Sequence, residues 1–111
     1  MGLPKKIRQL SGMTWTIRTD QYERLAQMDR LGEMDEAALE IHIGRAKLPQ
    51  IQKTLIHEML HAISGDIFGG TSQNLSEEQV RVISSALLVV LQANPSMVAY
   101  LMTREKDTRH K

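Results

Sequence analysis

His57-Glu58-Met59-Leu60-His61 sets two imidazoles four residues apart, with a carboxylate directly after the first. On an α-helix, residues i and i+4 stand one above the other on one face. His57 and His61 can therefore offer two ring nitrogens to one metal ion. Glu58 lies about 100° round the helix from His57 and about 60° from His61. That places a carboxylate beside the ion without making it a ligand, where it can take a proton from water the ion has acidified. The chemistry indicated is hydrolysis by metal-activated water, with Glu58 as the general base. The plain alternative is a surface helix carrying two histidines and a glutamate. Chance produces the pattern in a chain of this size only about once in a few hundred cases.

Two histidines leave a catalytic zinc site unfinished, because such a site takes three protein ligands and keeps one position open. The chain has no cysteine, so the third ligand must be His, Glu or Asp. The metzincin pattern places a Gly three residues, and a His six residues, after the second motif histidine. Here Ser64 and Ile67 occupy those places. Asp66 is near in sequence but falls on the opposite side of the helix. Glu77 and Glu78 come next. Ser76 with Gln79 forms a capping box, which puts both glutamates in the first turn of a second helix. Measured from the apolar stripe of Val80, Ile83, Leu87 and Leu91, Glu77 stands about 80° away, on the rim. Glu78 lies nearly opposite the stripe, beside Arg81, Ser85 and Gln92. The rim position can reach an ion held by a neighbouring helix, so the expected zinc ligands are His57, His61 and Glu77. For an oxyanion donor, Tyr100, His42 and Arg81 are candidates that the sequence does not separate.

These groups need a scaffold. Lys5 to Leu10 leads to the turn signal Ser11-Gly12, and Met13 to Arg18 then alternates, with Met13, Trp15 and Ile17 on one face. A hairpin is expected there. Asp20 to Arg30 is ambiguous between a short helix and an irregular crossing. A second hairpin is expected from roughly 31–35 with 38–43, where Leu39, Ile41 and Ile43 share a face. His42 falls on the other face, expected to be solvated. Segment 38–43, the last before the motif helix, is also the expected edge for pairing with an extended peptide. Leu48-Pro49 opens the motif helix, whose apolar residues cover about half its circumference. A loop is expected from Gly65 to Asn74. The next helix, with Val82, Leu88 and Val89 widening its stripe, is expected to be largely buried. Asn94-Pro95 ends it, and Ser96 to Met102 forms a last short helix. Thr103 to Lys111 is expected to fray.

The chain has 111 residues, 41% of them hydrophobic, which suits one domain, 1–111, with a modest core. A net charge of +1 gives no electrostatic ground for nucleic acid or acidic lipid. The longest apolar run, Ala86 to Leu91, is far short of the roughly 20 residues a membrane span needs. No secretory signal is visible in the first ten residues. A cytoplasmic protein acting on a peptide or protein substrate is expected, with no nucleic-acid or membrane partner; its oligomeric state is open. The fold class expected is α+β, with a small antiparallel sheet from the first half and three helices from the second.

His57 to Ile63, then Leu75-Ser76-Glu77-Glu78-Gln79-Val80, then Asn94-Pro95, resembles the small metallopeptidases of bacteriophages and prophages. Gly32 to Asp35 and Leu39 to Ile43 are similar to the hairpin preceding the motif helix in that group. The likeness covers about residues 5–102. It implies a minimal, gluzincin-like zincin with zinc on His57, His61 and a Glu of the second helix, acting in the host cytoplasm. More distantly the chain is similar to the ImmA/IrrE-type peptidases, without the extra domains those regulators commonly carry. The rival expectation is a non-catalytic, zinc-stabilised module that binds a host protein, because so small a chain has little surface for a cleft.

Overall fold

The computed structural model describes residues 2–69 and 72–105. Strands β1 (Lys6–Arg8), β2 (Thr14–Arg18), β3 (Gly32–Asp35) and β4 (Glu40–Ile43) form one sheet in the order β1-β2-β4-β3. Helix α1 (Tyr22–Gln27) lies between β2 and β3; α2 (Leu48–Phe68), α3 (Glu77–Ala93) and α4 (Pro95–Met102) follow. The protein is α+β.

Both expected hairpins form. β1 pairs antiparallel with β2 around Gly12, whose φ of 87° is the left-handed backbone a glycine accepts. β3 pairs antiparallel with β4 in the register Gly32↔Ile43 to Asp35↔Glu40. The sheet is nevertheless mixed, not antiparallel, because the hairpins join through their second strands. β2 and β4 run the same way, with Ile17 opposite Ile41. β3 therefore takes the outer edge and β4 is paired on both sides. The expected peptide-pairing edge at 38–43 is thus corrected: the free edge on that side is β3.

The alternation of β2 and β4 turns Trp15, Ile17, Ile41 and Ile43 to one face, where they form a buried cluster with Ala62 of α2. Ile51, Leu55 and Met59 of α2 and Met34 of β3 pack against that cluster. Met13 lies before β2 and is half exposed. The opposite face carries His42, which is buried rather than solvated. Arg24 of α1 approaches its Nδ1 at 3.1 Å, and Glu40 lies 3.0 Å from its Nε2. A guanidinium only donates, so Nδ1 accepts from Arg24 and the Nε2 proton is donated to Glu40. The segment that was ambiguous in sequence thus holds a short helix that covers this histidine.

α2 begins with Pro49 in its first turn and runs through Gly65 to Phe68. The loop expected from Gly65 starts later. A helical glycine costs about 1 kcal/mol but does not stop a helix. The stop is Gly69, in the left-handed conformation at φ 60°, its N–H donating to the Gly65 carbonyl. α3 opens with the full capping box: the Ser76 hydroxyl accepts from the Gln79 N–H at 3.1 Å, and the Gln79 side chain accepts from the Ser76 N–H at 2.9 Å.

α3 is not largely buried. Only Val80 and Ser84 are, facing α2, whereas Val82, Ile83, Leu87, Val89 and Val90 are 39–67% exposed. Among the described residues no single helix is long and apolar enough to cross a membrane. Of the expected fraying tail, Thr103 to Glu105 are exposed and outside any helix; residues 106–111 lie outside the described residues.

Candidate metal centre

α2 crosses the sheet with His57, Glu58 and His61 turned towards β3 and α3. Together with Gly32, Met34, Glu77 and Arg81 they line an open cleft of about 830 Å³. The chain's approach to α3 is fixed by Ser64, one turn after His61 and 2% exposed. Its hydroxyl accepts from the Leu75 N–H at 2.9 Å and bonds the Asn74 side chain. The capping box follows immediately, so Glu77 emerges at the motif histidines.

The convergence is close. Glu77 Oε1 stands 2.7 Å from His57 Nε2, and Glu77 Oε2 stands 2.7 Å from His61 Nε2. The two Nε2 atoms are 3.2 Å apart. All three groups ligate through lone pairs, and lone pairs this close repel. Protons on the rings, or one cation held in common, relieve that repulsion. Donors sharing a tetrahedral zinc through bonds of about 2.0–2.1 Å stand roughly 3.3 Å apart; the donor types and the 3.2 Å between the two Nε2 atoms suit such an ion, whereas the 2.7 Å from each ring to Glu77 is a hydrogen-bond distance that would have to lengthen to admit it. Glu78 points elsewhere and is held in an ion pair by Arg81. Asp66 is spent on the Ser11 N–H at 3.2 Å, away from the cluster.

Glu58 is only 7% exposed, although it sits on the polar arc of the helix. Burial pushes its carboxyl up to about 7, helped by the nearby negative charges of Glu77 and Glu33 and opposed by Arg30. Burial also pulls Glu77 upwards, but the His57 and His61 rings together outweigh it and leave that carboxyl below its ordinary value. Two carboxylates of one cleft are thus driven apart, one towards the ionised form and one towards the protonated form.

The upward shift of Glu58 has a consequence for the metal-free protein. A carboxyl that ionises at 4.5 in the unfolded chain and at about 7 in the folded one favours folding most when protonated. Its contribution is intact below pH 4.5 and is lost as pH rises through 7, about 3 kcal/mol in all. Urea unfolding with chelator present should show that loss in the wild type, and Glu58→Gln should remove this part of the pH dependence. Parallel pH profiles for the two proteins would contradict it.

Two residues that position the site carry little sign of that role in the sequence. Ser64 has no signature there. Gly32 has one, since a glycine inside a strand often marks a close backbone approach. A Cβ on Gly32 would run into Thr54 Cγ2, and would stand 3.5 Å from Glu58 Cγ. β3 thus lies directly against the helix at Glu58. Gly32→Ala should destabilise the fold by about 1–3 kcal/mol. Adding Thr54→Ser, which deletes the clashing methyl, should recover most of it. Independent, additive effects in that double-mutant cycle would rule out the contact. Of the oxyanion candidates only Arg81 lines the cleft; Tyr100 is exposed on α4 and His42 lies on the other face of the sheet.

No protein family, curated protein or solved structure matches the chain.

Proposed function

We propose that this chain is a small zinc-dependent metallopeptidase, a minimal gluzincin-like zincin of the kind found in phages and prophages, working in the cytoplasm. The observation that carries this reading is the convergence of His57 Nε2, His61 Nε2 and the Glu77 carboxylate beside the buried Glu58, in one cleft. His57, His61 and Glu77 would hold a zinc ion, which would supply a Lewis acid for a peptide carbonyl and acidify water towards a pKa of about 7. The rest is the work of side chains and backbone. Glu58 takes the proton of the attacking water and hands it to the leaving amine. Its raised affinity for a proton, and the wall of β3 behind it, suit a group that must hold a proton briefly at neutral pH. The free edge of β3 borders the cleft and offers unpaired backbone groups to an extended peptide. Such pairing lays a scissile bond along the cleft and explains how a small domain binds peptide without a deep pocket.

The experiment is metal analysis of protein purified without added metal, beside a cleavage screen on a peptide library. One zinc per chain and hydrolysis that chelator abolishes and zinc restores are expected. A His57→Ala, His61→Ala double variant that keeps full zinc stoichiometry would overturn the site, and a zinc-loaded protein that cleaves nothing would overturn the activity.

A further inference from the structure

Among the described residues, α3 buries side chains on one side only. Val80 and Ser84 are fully buried against α2, and Glu77 leaves from that same side. The far side carries Val82, Ile83, Ala86, Leu87, Val89 and Val90, all exposed. At about 100° per residue these positions fall in a single arc of roughly 160°, so they form one continuous apolar stripe. The polar positions Glu78, Arg81, Ser85 and Gln92 lie outside it, and Gln79, which shares the arc, sits in the first turn before the stripe begins. α4, bent 97° from α3, also leaves Tyr100, Leu101 and Met102 more than half exposed, though three consecutive helical residues point about 100° apart and do not all share one face.

We propose that this surface is the contact between two copies of the chain. Its area decides the scale. The exposures amount to roughly 500 Å² on α3 alone, at the upper end of the apolar patch a monomer leaves open and a large share of the about 800 Å² per partner that a stable interface buries. Its chemistry decides the partner. The stripe holds no charged side chain, so nothing selects a partner of complementary charge, whereas a two-fold pair needs only one patch that matches itself. Valines and Ala86 let two helices approach closely, and an antiparallel crossing of two α3 helices brings the middle of each stripe, at Ala86, near its own copy. A helix lying on acidic lipid carries Lys and Arg along its polar face; α3 has only Arg81, already bound to Glu78. The surface lies across α3 from Glu77, so pairing leaves the cleft open and stands independently of the metal reading.

Sedimentation equilibrium of the full chain at about 1–100 μM tests this. The wild type should show twice the 12.6 kDa chain mass. Val82→Lys with Val89→Lys, both at exposed positions, should keep the circular dichroism spectrum and raise the dissociation constant at least ~100-fold. Ala86→Cys, in a chain with no other cysteine, should form a disulfide-linked pair on mild oxidation; this and the wild-type mass decide the matter if the lysine variant fails to fold. A wild type of single-chain mass at the top concentration overturns the proposal. So does a folded lysine variant that pairs as tightly as the parent, or association seen only with phosphatidylglycerol-containing vesicles.

Discussion

Glu77→Gln is expected to weaken zinc binding on the order of 100-fold or more, and Glu78→Gln to leave it within about twofold. Loss of groups that merely support a ligand already costs roughly 10–100-fold in affinity, and loss of a ligand exceeds that. The two glutamates are neighbours on one helix turn, and both favour its positive N-terminus by about 0.3–1 kcal/mol, so a general electrostatic effect predicts similar losses from either change. The structure separates them. Glu77 lies 2.7 Å from both motif imidazoles, while Glu78 is exposed and turned to Arg81. Competition titration of the metal-free variants with a chromophoric chelator gives both affinities. The reverse ranking would move the third ligand to Glu78, and equal losses would reduce the pair to a helix-terminus effect.

The parts of the fold that could be read from sequence are those set by neighbours in the chain. Alternation at Trp15 and Ile17, and at Ile41 and Ile43, showed which residues face the core, and the Ser76–Gln79 box marked where α3 begins. The rim position of Glu77 followed from helix periodicity alone. What escaped depends on contacts between distant segments. Nothing local states that two hairpins join through β2 and β4, so the parallel pairing and the edge position of β3 were hidden. His42 was placed on the correct face of its strand, but its burial depends on Arg24 arriving from a six-residue helix whose periodicity was too short to read. The exposure of the α3 stripe is hidden for a different reason. An apolar face calls for a cover, and the sequence does not say that no described residue supplies it. Gly32 is intermediate: a glycine in a strand was visible, but Thr54 and Glu58 as the reason for it were not.

Glu58→Gln is expected to keep zinc affinity within a few-fold and to lower peptide hydrolysis roughly 10²–10⁴-fold, the range for loss of a positioned general acid–base group. Glutamine preserves the shape of the side chain and its packing beneath Gly32, but its amide cannot carry the proton from water to the leaving amine. Glu58 is buried at a cost: its carboxyl rises to about 7, so at neutral pH the metal-free chain would be more stable with a neutral side chain there. A residue that opposes stability where it stands is what a proton carrier requires, and not what a metal-stabilised binding module needs. The variant therefore separates the two readings. If the parent cleaves and Glu58→Gln does not, while both hold one zinc, Glu58 is the proton carrier. Equal cleavage by the two proteins would remove it from the mechanism. If neither cleaves, yet both bind the same protein target and the His57→Ala, His61→Ala variant does not, the chain is a zinc-held binding module.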